Sequence, residues 1–270
     1  MKLLKQIKKN SWFSRWAYNQ LYARIARRQY RENRDELKKI EQLKDSFKGK
    51  RCFIIGTGPS LTVSDLEKLQ NEFTFGTNRI YELFDQTDWR PTFYVNQDAD
   101  LIKKFSEKIK DIKTEYKFLP IDFKDLFDDE NIFYFVLRHK DYYPNKAPFS
   151  KDISKYLSQG FTVTYGAIQI AAYMGFSEIC LIGIDHNYNI IRDAKGNVIR
   201  NETENNYPKG MKDYINIRNL PRVAETTIAY ETAERISKQM GMKIYNATRG
   251  GKLESFERKN LEDILESDRK

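Results

Sequence analysis

Cysteine and histidine are the scarcest reactive residues of this 270-residue chain, two of each: Cys52, Cys180, His139 and His186. Both cysteines sit in apolar runs that read as buried strands, where a thiol behaves as a small hydrophobe. A disulfide framework and a zinc centre are therefore not expected, and a reducing compartment is. Long hydrophobic runs are also missing. No stretch approaches the ~20 apolar residues that cross a bilayer. The N-terminal apolar positions are interrupted by Lys5, Lys8 and Lys9 with no small-residue cleavage site behind them, so a secretory leader is not expected. There is no internal repeat and no low-complexity tract.

What is present is a core-forming chain, 40% hydrophobic and 31% charged, long enough for one large α/β domain or two small ones. Its charge is uneven. Residues 1–34 hold ten lysines and arginines against one acid, Glu32, which accounts for the whole formal charge of +9. Residues 2–46 contain few helix breakers and read as one or two helices. Trp12, Phe13, Trp16, Tyr18 and Tyr22 alternate there with basic residues that include Arg24, Arg27 and Arg28. Aromatic rings at headgroup depth with cations toward anionic lipid make an interfacial membrane arm the expectation. Packing on the body or on a second subunit is the alternative. Nucleic acid is a weaker one, because no nucleic-acid motif accompanies the patch.

The reading places this arm at 1–47 and an open, mostly parallel Rossmann-like α/β domain with helices on both faces at 48–270. Strands are expected at Arg51–Ile55, Phe73–Gly76, Thr92–Val95, Tyr116–Leu119, Ile132–Val136, Glu178–Ile182 and Lys243–Tyr245. Helices are expected at Ser64–Gln70, Asp98–Asp111, Gly166–Met174 and Arg222–Met240. Short continuous apolar strands alternating with helices are the pattern of a sheet covered on both faces. Ligands of such sheets lie at the carboxyl ends of the strands. Residues 187–221, polar and holding Gly196, Pro208, Gly210 and Pro221, follow a strand end and read as a lid-like insertion.

The most informative stretch is Gly56, Thr57, Gly58, Pro59 and Ser60, directly after the first strand. A Gly-x-Gly turn there can bring bare backbone N–H groups to a phosphate, or be simply a tight turn. It is neither the dinucleotide fingerprint, whose third glycine would fall at Leu61, nor a Walker loop. Asn78 at the next strand end could bond a base or ribose, or cap a turn. Asn96 and Asp98 follow the third strand. Asp98 could bind a sugar hydroxyl, a proton or a metal, or cap its helix. Asp185 and His186 follow the sixth, where an imidazole would titrate near neutrality and suit proton transfer, or the two form a structural hydrogen-bond pair. Thr164, expected to cap the helix entered through Gly166, would supply a second anion-binding helix start.

Taken in order, Gly56-Thr-Gly-Pro-Ser-Leu61, Gly76-Thr-Asn-Arg79, Val95-Asn-Gln-Asp98, Gly183-Ile-Asp-His186 and Asn246-Ala-Thr-Arg-Gly-Gly251 resemble a known set. It belongs to the family of bacterial proteins grouped with archaeal 6-hydroxymethylpterin diphosphokinase and with motility-accessory flagellin glycosyltransferases. The resemblance covers about residues 48–260. A more distant likeness is to the bacterial lipooligosaccharide sialyltransferases. It implies that Gly58, Ser60 and Asn78 hold a nucleotide and that Thr164 and Gly166 lie near sugar or phosphate. Where those enzymes carry a base histidine, this chain has Asn206, so either His186 or Asp98 would substitute or the reaction differs. Tyr188 and Tyr207 are candidates for the leaving phosphate.

The expectation is a cytoplasmic glycosyltransferase, peripheral at the inner face of the cell membrane, acting in surface polysaccharide or glycoconjugate synthesis. Its donor would be a nucleotide-sugar, CMP-linked nonulosonic acid being favoured, and its acceptor a glycan or lipid-linked sugar. The first alternative is an ATP-dependent pyrophosphokinase on a pterin-like substrate, with Mg²⁺ on Asp98 and Asp185. The second is a non-enzymatic nucleotide-binding or scaffold subunit.

Overall fold

In the computed structural model the described residues are 12–193, 195–200, 207, 209 and 220–266. Two helices lead the chain, α1 (Trp12–Glu32) and α2 (Arg34–Glu41). Then come β1 (Arg51–Ile55), α3 (Val63–Lys68), β2 (Thr74–Thr77), β3 (Phe93–Val95), α4 (Ala99–Lys104), α5 (Ser106–Lys110), β4 (Tyr116–Pro120) and β5 (Ile132–Phe135). The second half adds β6 (Leu137–Arg138), β7 (Leu157–Ser158), α6 (Val163–Tyr173), β8 (Glu178–Ile182), β9 (Ile190–Arg192) and β10 (Val198–Arg200). It ends with α7 (Val223–Met240), β11 (Lys243–Asn246), β12 (Glu257–Arg258) and α8 (Leu261–Glu266).

Eight strands form one sheet in the order β12-β11-β8-β1-β2-β3-β4-β5, and every neighbouring pair is parallel. From β1 the chain winds outward through β2 to β5, then returns to the other side of β1 with β8. The direction of winding therefore reverses between β1 and β8, which opens a crevice at their carboxyl ends.

Alternation along the strands builds two apolar layers. Ile54, Phe75, Phe93 and Phe118 face Ile168 and Ala171 of α6 and Ala229 and Ala233 of α7. Phe53, Ile55, Tyr94 and Leu119 face Leu66 of α3, Ile102 of α4, Ile109 of α5 and Ile264 of α8. Cys52 and Cys180 are both buried and reduced. All seven predicted strands exist, with no end displaced by more than one residue. The single helix expected over 98–111 is two, interrupted at Phe105.

The N-terminal arm is docked on the body. Arg15 Nη1 donates to the Tyr143 carbonyl at 2.7 Å, and Asn19 exchanges hydrogen bonds with the Asp141 backbone at 3.1 and 2.8 Å. Tyr22 meets His139 edge-on at 5.2 Å. The far face stays open: Phe13, Trp16, Gln20, Arg24, Arg27 and Arg31 recur at three- and four-residue spacing and all are exposed. Trp12 and Arg28 are exposed too. Among the described residues no helix is long and apolar enough to cross a membrane.

Candidate functional site

A crevice of about 290 Å³ lies where the topology places it, over the ends of β1 and β8. It is lined by Gly56 to Pro59, Asn78, Gln97, Asp98, Thr162, Thr164, Asp185, His186, Tyr188, Tyr207 and Arg222, among others. Ser60, Asn96 and Gly166 do not line it, and Asn206 lies outside the described residues.

The glycine turn makes a close contact between two strand ends. The Gly56 N–H donates to the Ile182 carbonyl and the Gly58 N–H to the Gly183 carbonyl, each at 2.9 Å. A Cβ on Gly58 would stand 2.0 Å from Asp185 Oδ2, and one on Gly56 2.5 Å from the Gly183 carbonyl. The missing side chains therefore let two strand-end loops touch, rather than baring N–H groups for phosphate. Pro59 has no N–H and that of Ser60 points to Asp185 at 3.4 Å, which leaves Thr57 as the turn residue with an N–H to offer.

Ser60 and Asp185 form the clasp between those loops, the serine hydroxyl donating to Oδ2 at 2.8 Å. Burial raises the Asp185 carboxyl above its ordinary range, and the Ser60 hydrogen bonds partly offset this. The Asn246–Gly251 segment braces the clasp from below. Thr248 Oγ1 accepts from the Ile184 N–H at 3.1 Å, and Arg249 donates to the Ser60 carbonyl and to Asp65 Oδ1, each at 2.8 Å. One oxygen of Asp185, Oδ2, is thus engaged by Ser60 while the residue lines the crevice.

Two anion-attracting helix starts were expected, and one reaches the crevice. The start of α3 is closed by a capping box between Thr62 and Asp65. The start of α6 lines the crevice, but its N-cap is Thr162, which accepts from the Thr164 N–H at 3.3 Å. Thr164 is already inside the helix. Gly166 is a turn deeper, against Gln97 and Leu157. Asp98 takes the capping role, its Oδ1 accepting from the Asp100 and Leu101 N–H groups at 2.9 and 3.1 Å. Asn96 is spent on Tyr94 Oη and the Asp98 N–H.

Asn78, Phe161 and His186 are three of the four non-glycine residues with positive φ among the described residues, and all three line the crevice. Such backbone costs energy and persists where the surroundings over-determine it. Asn78 Oδ1, Gln97 Oε1 and His186 Nδ1 are buried without a hydrogen-bond partner. Unmet polar atoms of this kind are uncommon in folded proteins. The imidazole does not titrate near neutrality as expected: burial pushes His186 down from 6.5 to about 4. It is therefore neutral at pH 7.

Arg222, Phe161 and Gln97 were not singled out by sequence. Arg222 is the only lysine or arginine among the described residues lining the crevice. It pairs with the fully buried Glu225 and lies over the Phe161 ring at 4.2 Å. Its position at the very start of the predicted helix 222–240, where the structure makes it the N-cap, was the available signal. The insertion after His186 contains the antiparallel pair β9–β10, and Tyr207 lies under Arg79 at 5.2 Å. Most of the expected lid falls outside the described residues.

Curated protein sequences give no match to this chain. Among solved structures, the MAf glycosyltransferase from Magnetospirillum magneticum AMB-1 is similar over 87% of this chain with a TM-score of 0.50 and 17% identity. This chain spans 40% of that protein's length. At such identity the likeness is one of fold. The family described as 6-hydroxymethylpterin diphosphokinase MptE-like matches residues 28–190. That match begins inside α1, earlier than the expected boundary at 48, and covers more than half of the chain. This protein is therefore a member of the MptE-like family.

Proposed function

We propose that the protein is a glycosyltransferase using a nucleotide-activated sugar, a CMP-linked nonulosonic acid foremost, in cell-surface polysaccharide or glycoconjugate synthesis. The observation that carries this reading is the coincidence, in one crevice at the topological switch point, of three strained residues with unmet polar atoms at Asn78, Gln97 and His186. Buried acceptors without partners suit a ligand rich in hydroxyl and amine donors, as a nucleoside and a sugar are. The α6 start and Thr57 would receive the phosphate, and Arg222 is the cation at hand for a second negative group. Leaving-phosphate stabilisation would carry much of the rate, with one proton taken from the acceptor hydroxyl. The fold likeness to a glycosyltransferase supports the reading without fixing the donor.

The family description names a diphosphokinase, so ATP-dependent pyrophosphoryl transfer to a pterin-like substrate is the second reading. Its Mg²⁺ would fall to Asp98 and Asp185. One oxygen of each carboxylate is engaged within the fold, by a helix cap and by Ser60, which suits a metal poorly. Within the first reading, the exposed aromatic and basic face of α1 would bring the enzyme to an anionic membrane, at its cytoplasmic side, where a lipid-linked acceptor resides.

Calorimetric titration with CMP, CDP, UDP and ATP, each with and without Mg²⁺, separates the two. Metal-independent CMP binding weakened by Asn78→Ala supports the glycosyltransferase. Preference for ATP with Mg²⁺ sinks it in favour of the diphosphokinase.

A further inference from the structure

His186 is 7% exposed, lies just beyond β8 with φ of +51°, and uses one ring nitrogen within the protein. Nε2 is 2.8 Å from Thr227 Oγ1 on α7. That hydroxyl in turn donates to the Val223 carbonyl at 2.9 Å, one helical turn back. The ring is held edge-on between Tyr230 at 5.5 Å and Tyr188 at 6.3 Å, and Nδ1 is buried without a partner.

These contacts select a tautomer by counting hydrogen bonds. With the proton on Nε2, His186 donates to Thr227 and Thr227 donates to Val223, so both bonds are made. Only a lone pair on Nδ1 is then unmet. With the proton on Nδ1, the threonine hydroxyl must turn to Nε2, its bond to Val223 is lost, and a buried N–H has no acceptor. An orphaned donor is rarer and more costly than an under-used acceptor. The first arrangement wins on both counts.

We infer that Thr227 is a positioning residue that holds His186 protonated at Nε2, so that the Nδ1 lone pair faces the crevice as the acceptor for a hydroxyl of the bound sugar. Thr227 does not itself line the crevice, so it acts through the ring. The ligand half of this inference rests on the nucleotide-sugar reading; the tautomer half does not.

The chain has only two histidines, so ¹⁵N-detected imidazole spectra of the full-length protein at pH 7 are readily assigned with a His139→Asn variant. The expected result is a protonated Nε2 and an unprotonated Nδ1 on His186. That pattern should persist in Thr227→Ser and give way to a population protonated at Nδ1 in Thr227→Val. Thermal melts of both variants establish that they are folded. A wild-type ring protonated at Nδ1, or an unchanged tautomer in folded Thr227→Val, overturns the inference. CMP and CMP-N-acetylneuraminic acid are then titrated separately. The sugar nucleotide should shift the Nδ1 resonance and bind about fivefold more weakly to Thr227→Val, while CMP binding should not change between variants. If CMP-N-acetylneuraminic acid binds and Nδ1 does not respond, the ligand half fails. If neither compound binds wild type, the nucleotide-sugar reading falls with the ligand half, and the tautomer is judged on the spectra alone.

Discussion

Acidification from pH 7 to pH 5 should destabilise the fold through His186, and by a calculable amount. The group titrates at 6.5 when unfolded and at about 4 when buried, so between those values the unfolded chain holds a proton that the native state refuses. Stability therefore rises with pH across that window, and the contribution is lost as pH falls from 6.5 toward 4. At pH 5 the unfolded form has gained 1.5 pH units of protonation that the native form lacks. At about 1.4 kcal/mol per unit, the native state loses ~2 kcal/mol relative to pH 7. Asp185 acts in the opposite sense, since its carboxyl is raised in the native state and acid favours that state there. The assay is urea denaturation at pH 7, 6 and 5 on wild type and His186→Asn, asparagine being chosen because it tolerates the positive φ. Wild type should lose ~2 kcal/mol more than the variant over that range. Parallel losses in the two proteins would refute a buried neutral imidazole.

Three further outcomes are expected. Asn78→Ala should weaken CMP binding about fivefold to tenfold by removing an unmet acceptor at the crevice, as read by calorimetry, and should lower the melting temperature slightly because alanine suits the positive φ less well than asparagine. Gly58→Ala should cost about 1–3 kcal/mol in urea unfolding, because its methyl would overlap Asp185 Oδ2; a neutral effect would mean the loops are not in contact. Full-length protein should sediment with phosphatidylglycerol vesicles and not with phosphatidylcholine. Arg24→Gln with Arg27→Gln should weaken that binding by ~2 kcal/mol, since each cation near an anionic surface contributes about 1 kcal/mol. Dimers in ultracentrifugation without vesicle binding would instead assign the exposed face of α1 to a second copy of the chain.

The sequence by itself determined the parallel sheet. Runs such as Cys52-Phe-Ile-Ile55 and Ile179-Cys-Leu-Ile182 are apolar on both faces of the strand, and only a sheet covered by helices on each side satisfies that pattern. It also brought Gly56, Asn78, Asp98 and His186 toward one edge, because parallel strands place all their carboxyl ends together. It could not say which side-chain atoms remain unspent there. Asn96, Asp98, Ser60 and Asp185 have the chemistry of a site, yet the Asn96 amide is taken by Tyr94 and the Asp98 N–H, one Asp98 oxygen by a helix cap, and the Ser60 hydroxyl by one Asp185 oxygen. Such partners come from strands and turns distant in sequence. The same holds for the glycines, whose missing side chains make room for Gly183 and Asp185 of another strand end. Arg222 and Phe161 enter the crevice only because α7 packs beside α6, and the shift of His186 to about 4 is a property of burial. Local periodicity fixes which face of an element is apolar; which polar atoms stay unsatisfied depends on neighbours that only the tertiary fold supplies.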